Sequence, residues 1–274
     1  MTDAPKPGNV GNALLLRIIS SAVLIPVAIA CVYFGGIAFV ALVVLMMAVM
    51  LYEWCRMVEG RDFGRGFWVL IASAAGGGVA AAFGSFGLAM AIAGAGVAVS
   101  LYLTRDEVGY WVALAGPYII APSIGLVWLR NAAPEGLGYT IVLFAVVWAA
   151  DIGAFVCGKL IGGPKISHAL SPSKTWAGIG GGIGGGIGAG FVAAPYVFDF
   201  NDAALAGALL GGGLGASSVI GDLAESAIKR RYGLKDISSL IPGHGGVLDR
   251  LDGMIFATAA MTSVYFMFMI SGWG

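Results

Sequence analysis

The chain has 274 residues, of which 59% are hydrophobic and 11% charged, with a mean hydropathy of +0.91. An average soluble domain carries about 25% charged residues, so a water-soluble globule is excluded and an integral membrane protein is expected. Fifteen basic residues balance fifteen acidic ones, so net charge points to no nucleic-acid partner and only the placement of charge is informative.

Residues 1–16 open with the polar "MTDAPKPGNVGN" and read as a loose tail. Crossing a bilayer takes about 20 mostly apolar residues, and such runs follow near 17–34, 36–54, 66–83, 86–103, 109–129, 138–157, 175–197, 203–227 and 253–271. The first is read as a retained span instead of a secretory signal, because the second follows almost at once and no soluble domain remains to be exported. No charge marks the breaks at 35–36 and 84–86. The expected fold is all-α, a polytopic membrane protein of about nine transmembrane helices, with helices one to five over 17–137 and helices six to nine, carrying the polar site, over 138–274.

Short cytoplasmic loops are enriched in Lys and Arg. With the N-terminus in the cytoplasm, the inner segments collect Lys6, Arg17, Arg56, Arg61, Arg65, Arg105, Lys159, Lys165, Lys174, Lys229, Arg230, Arg231, Lys235 and Arg250, leaving only Arg130 outside. That asymmetry supports nine spans and an outward C-terminus. Cys31, Cys55 and Cys157 have no metal-ligand spacing and are odd in number, so they read as small packing residues.

Glycine concentrates in "GIGGGIGGGIGAG", where Gly178, Gly182, Gly186 and Gly190 recur every fourth residue. On a helix these form a flat ridge for close backbone approach, within the chain or across a dimer. A nucleotide-binding loop is the sharper reading, but GxxxxGK[ST] is absent and no strand precedes the stretch.

Three polar segments fall on the predicted cytoplasmic side. Asp151 in "WAADIGAFVCGK" lies about two turns from its span's inner end, where an ionisable side chain is a functional candidate; pairing with Lys159 is the structural alternative. In "HALSPSKTWAG", Ser171 reads as the N-cap of span seven with Pro172 at its first position. That leaves free amides beside Lys174 and Thr175, an arrangement that suits a phosphate.

The third segment is "GDLAESAIKRRYGLKDISSLIPGHGGVLDRLDG", 221–253. Asp222, Glu225, Ser226 and Lys229 share one helix face by their i, i+3, i+4, i+7 spacing. Pro242 and glycines 243, 245 and 246 then force a tight loop that delivers Asp249 and Asp252 to the start of span nine. Carboxylates are favoured at a helix N-terminus, and with Asp222 opposite they make an oxygen-lined site fit for Mg²⁺, which prefers one or two carboxylates plus substrate phosphates. Lys229, Arg230, Arg231, Lys235 and Arg250 add the positive charge that a transferring phosphoryl group needs. His244 either binds phosphate or holds the loop through its ring N–H.

The stretch "SAIKRRYGLKDISSLIPGHGGVLDRLD", 226–252, resembles the signature of the phosphatidate cytidylyltransferase (CDP-diglyceride synthase) family, with its anchors at Ser226, Lys229, Arg230, Lys235, Asp236, His244, Gly245, Gly246, Asp249, Arg250 and Asp252. "DIGAFVCGKLIGG" and "SPSKTWAGIGGG" resemble the family's two preceding polar segments, and "YEW" at 52–54 is a further match. The resemblance implies attack of the phosphatidic acid phosphate on the α-phosphorus of CTP, yielding CDP-diacylglycerol and pyrophosphate at a lipid bilayer. It implies Asp222 and Asp249 as metal and catalytic carboxylates, with Lys229 and Arg230 also catalytic. Substrate would be bound by Asp151, Ser171, Lys174, Thr175, Ser226, Lys235, Asp236, His244, Arg250 and Asp252. Mg²⁺, a monovalent cation such as K⁺ and a homodimer belong to the same expectation, as does a bacterial inner-membrane location with the site facing the cytoplasm.

Three other readings compete with it. "DRLDG" begins like a CDP-alcohol phosphotransferase motif, but Phe256 and Ala257 stand where Ala-Arg is required. A CTP-dependent lipid-alcohol (polyprenol) kinase would need a base such as Asp151 or Asp236. A secondary transporter would show internal repeats and midplane charges, whereas these charges crowd one membrane face.

Overall fold

The computed structural model describes residues 22–60, 64–167, 171–238, 240 and 245–271. Among these residues nine apolar helices follow one another: α1, described over Ala22–Phe34, then α2 Gly36–Glu59, α3 Arg65–Ala82, α4 Phe86–Leu103, α5 Glu107–Ala132, α6 Gly136–Leu160, α7 Trp176–Ala193, α8 Ala203–Arg231 and α9 Leu248–Ile270. The last eight are long and apolar enough to cross a membrane. The part of the first predicted run before residue 22 lies outside the described residues, as do the tail and its predicted orientation.

The two uncharged breaks fall as expected, and backbone geometry explains both. Gly35 (φ +64°) and Gly84 (φ +76°) adopt the left-handed conformation that ends a helix at little steric cost. The break between α1 and α2 is also bridged from α5. Arg130 donates to the Val32 and Tyr33 carbonyls at 2.7 and 2.8 Å, and the Gly36 N–H donates to Asn131 Oδ1 at 3.1 Å. The one basic residue predicted outside is thus a helix cap. Near the middle of α5, Pro117 and Pro122 each lack an amide hydrogen, and the helix relaxes into a π turn at Gly116–Ile120.

Two modes of packing hold the bundle. Large side chains of α2, α3 and α5, among them Phe39, Met47, Leu51, Trp54, Leu70 and Ile124, form a core that Leu214, Leu248 and Met261 join from α8 and α9. In contrast α6, α7 and α8 meet backbone to backbone. A Cβ at Gly181 or Gly185 would strike the carbonyls of Gly153 or Ala149 on α6, and one at Gly186 or Gly190 would strike those of Gly211 or Gly207 on α8. The glycine ridge is therefore used within the chain, on both sides of α7.

The helices are joined at one end of the bundle by a small antiparallel hairpin, β1 Lys165–Ser167 and β2 Ser171–Thr175, with Lys165 opposite Thr175 and Ser167 opposite Ser171. This corrects two expectations, the first being that no strand precedes the glycine stretch, since β2 runs directly into α7. Ser171 does not cap the seventh helix, because it is drawn into the strand; Thr175 is the N-cap and accepts the Gly178 N–H at 3.1 Å. The ninth helix also begins earlier than its hydropathy indicates, at Leu248, so that Asp249 lies in its first turn.

Candidate active site

At the hairpin end, α6 and α8 finish and α7 and α9 begin, and between them lies a cleft of about 1020 Å³. Its wall takes in Asp151, Ser171, Lys174, Thr175, Asp222, Ser226, Lys229, Arg230, Lys235, Asp236, Asp249, Arg250 and Asp252, as expected from the sequence, but not Arg231, whose guanidinium pairs with Glu107 at 2.7 Å and lies over the Trp111 ring. His244 lies outside the described residues. Ala154, Phe155, Ile179 and Val219 add apolar surface.

Each polar group arrives from a different element for a local reason. The four-residue face of α8 points into the cleft as its helical spacing requires. Opposite it, β2 turns Lys174 inward, and its ammonium meets Asp222 Oδ2 at 3.0 Å. Farther along α8, Lys229 Nζ donates to Glu225 Oε2 at 2.9 Å and to Asp249 Oδ1 at 2.8 Å, tying α8 to the first turn of α9. Asp151 does not simply pair with Lys159. It lies within electrostatic reach of Asp222 and Lys174, while the Lys159 ammonium sits over the Phe155 ring at 5.6 Å.

Asp249 has a second task. Its Oδ2 accepts the Ile237 and Gly246 amides, each at 3.1 Å, so the carboxylate also fastens the loop that leads into α9. Three of about four acceptor positions on a carboxylate are thus used inside the protein.

The donor set fits a divalent cation. Asp252 is close enough to both Asp222 and Glu225 to be repelled by each. Glu225 is 1% exposed, and its Oε1 meets no N–H or hydroxyl donor among the described residues, although the carboxyl lies within hydrogen-bond reach of Asp252 when one of the two acids carries a proton. An orphaned buried carboxylate oxygen is costly unless a cation or a hydrogen-bond donor reaches it. Among the described residues no three acidic, histidine or cysteine side chains are grouped as a metal cage. Mg²⁺ does not need one, since it binds through one or two carboxylates and fills its octahedron with water and phosphate oxygens.

Two contributors escape a sequence reading. Glu53, deep in the apolar second run, is 1% exposed and accepts the Val247 and Leu248 amides at 3.0 and 2.8 Å. Its only signal was the "YEW" match. Tyr118, carried by the π turn of α5, has a buried hydroxyl without a partner among the described residues and lies within electrostatic reach of Glu225, Asp252 and Asp222. The proline in mid-span was the available clue, since π turns gather at functional sites.

Comparison with known proteins agrees with this geometry. A family model described as the cytidylyltransferase family matches residues 15–268. The phosphatidate cytidylyltransferase of Brucella suis biovar 1 is 35% identical over 254 residues, covering 90% of this chain and 92% of its own. The phosphatidate cytidylyltransferase of Pseudomonas aeruginosa is 36% identical over 273 residues, covering 94% and 98%. A phosphatidate cytidylyltransferase of Synechocystis is 43% identical over a shorter stretch of 128 residues, 45% of this chain and 41% of its own.

Proposed function

The chain belongs to the cytidylyltransferase family, and from that premise we propose that it transfers the cytidylyl group of CTP to phosphatidic acid. The phosphate oxygen of phosphatidic acid forms a bond to the α-phosphorus of CTP, the bond from that phosphorus to the β-phosphate oxygen breaks, and pyrophosphate leaves. The observation that carries the reading is the doubly loaded cleft, where Asp222 holds Lys174 and Asp249 holds Lys229 at one end of a membrane bundle.

A phosphate monoester is already anionic near neutral pH, so the site needs position and charge neutralisation more than a strong base. Lys174 and Lys229 can turn from their carboxylates to phosphate oxygens, and Arg230, Lys235 and Arg250 on the same wall meet the triphosphate. Asp222 and Asp249 would hold Mg²⁺, which when bound withdraws charge from the phosphoryl oxygens. Ser226, Asp236, Asp252, Thr175 and Ser171 border the same volume and orient the two substrates. Phe155, Ile179 and Val219 give the acyl chains an apolar flank that passes into the lipid-facing surface of Ile152 and Trp176.

The same reading sets the cleft toward the cytoplasm of a bacterial inner membrane. Its support is the distribution of charge: among the described residues, the basic side chains gather at the hairpin end, and Arg130 alone caps a helix at the other. K⁺ as a second cation and a homodimer rest on the family resemblance.

The test is an assay of the purified protein with Mg²⁺, phosphatidic acid and labelled CTP. CDP-diacylglycerol and pyrophosphate in equal amounts are the expected products. Equal use of ATP, or phosphorylation of a lipid alcohol, would overturn the assignment.

A further inference from the structure

We propose that Glu53 is a positioning residue for the active site, holding from α2 the neck of the loop that carries the site from α8 to α9. The loop leaves α8 after Arg231 and enters α9 at Leu248. Two carboxylates cross its neck. Glu53 accepts the Ser238 hydroxyl and the Val247 amide on Oε1 and the Leu248 amide on Oε2; Asp249 accepts the Ile237 and Gly246 amides on Oδ2. Each carboxylate thus joins the outgoing limb at 237–238 to the returning limb at 246–248.

The limbs leave no spare room between these two acids. A methyl group added at Gly246 would lie 2.8 Å from Asp249 Oδ2 and 3.0 Å from Glu53 Oε1, so the backbone passes between the two carboxylates at the closest approach glycine permits. Moving Glu53 moves that segment, and Asp249 is bonded to it.

A packing role alone does not account for a carboxylate here. Glu53 is fully buried and, among the described residues, no lysine or arginine is paired with it. Among the described residues its charge is met by the hydroxyl and by two amides at the positive end of α9. Capping that helix could be done locally, by a Ser or Asp at its N-cap, yet Val247 occupies the position and offers no side-chain cap. The cap comes instead from a residue 195 positions away.

That distant residue stands on a rigid support. Trp54, beside it, is completely buried and donates its indole N–H to the Trp111 carbonyl at 2.8 Å. The position of Asp249, and through it of Lys229, is therefore referred to the core of the first helices and not to the loop alone.

The proposal rests on the transferase reading only for its kinetic arm. In Glu53→Gln an amide NH₂ replaces one acceptor and faces a backbone donor, which opens the neck. Hydrogen exchange on the detergent-solubilised full chain should show the Val247 and Leu248 amides exchanging about tenfold faster or more, with α6–α8 unchanged. In the same protein kcat should fall about tenfold or more, with KM for phosphatidic acid within about threefold, because the catalytic groups are displaced and the acyl-chain surface is not. Glu53→Asp, which keeps the charge with a shorter reach, should fall between. Ser238→Ala, which removes one donor and leaves the buried carboxylate its two amides, should show the same changes more weakly and serves if Glu53→Gln does not fold. Wild-type protection at Val247 and Leu248 in these variants, or an opened neck with unchanged kcat, would overturn the proposal. If the wild-type chain itself makes no CDP-diacylglycerol, the transferase reading fails, while the exchange arm still decides whether Glu53 holds the neck.

Discussion

Lys229 and Asp249 are joined at 2.8 Å, and the same ammonium reaches Glu225 at 2.9 Å. One lysine, 14% exposed, therefore neutralises two nearly buried acids on different helices. The charge proposed for catalysis and the packing of two helices share a single side chain.

Lys229→Ala should accordingly lose more than phosphate binding. It strands Glu225 and Asp249 without a counter-charge, and loss of one partner from a buried ion pair costs about 3 kcal/mol or more. The expected result is no detectable turnover and a lower Tm in detergent. Adding Glu225→Gln to Lys229→Ala should recover much of the Tm and none of the activity.

The two proposed metal carboxylates should separate in stability. Asp222 is about one-third exposed and its ion pair with Lys174 lies at the cleft wall, so Asp222→Asn should lower turnover at least about 100-fold with Tm nearly unchanged. Asp249 also accepts two backbone amides, and Asp249→Asn should lower turnover and Tm together. Product formation and thermal unfolding, measured on both variants, check the pair. An unaltered rate in either would remove that residue from the reaction.

Removal of divalent cations should stop CDP-diacylglycerol formation, with recovery on adding back Mg²⁺. Turnover undiminished by chelator would contradict a Mg²⁺-dependent site at these acids.

The glycine ridge gives a test with an internal control. Gly190→Ala sets a methyl against the Gly207 carbonyl of α8, and overpacking of this kind costs about 1–3 kcal/mol. Gly184 lies on the same helix with nothing within 4 Å of its would-be Cβ. Gly184→Ala should leave the protein as stable or raise its stability by up to about 1 kcal/mol through helix propensity. Equal loss of Tm in both variants would mean that the ridge does not pack as described.

Capping offers a smaller difference. Thr175→Val removes the bond to the Gly178 amide and should cost about 1 kcal/mol. Ser171→Ala, no longer at a helix end, should not weaken α7.

Much of this molecule is written locally in the chain. Among the described residues the apolar runs specify nine helices, eight of them of crossing length, because length and hydropathy belong to each segment by itself, and Gly35 and Gly84 break them by their own backbone freedom. The polar face of α8 is equally local: Asp222, Glu225, Ser226 and Lys229 share a side by helical spacing whatever packs against them. Tertiary structure decided the partners. Whether Ser171 or Thr175 caps α7 depends on a strand pairing across the hairpin, and whether the glycine ridge meets another helix of this chain depends on where α6 and α8 lie. Glu53 is the clearest case, since nothing in an apolar run tells which distant amides a buried carboxylate will accept. A hydrogen bond spanning 195 residues is a property of the folded bundle, because only packing brings its donor and acceptor into the same dry space.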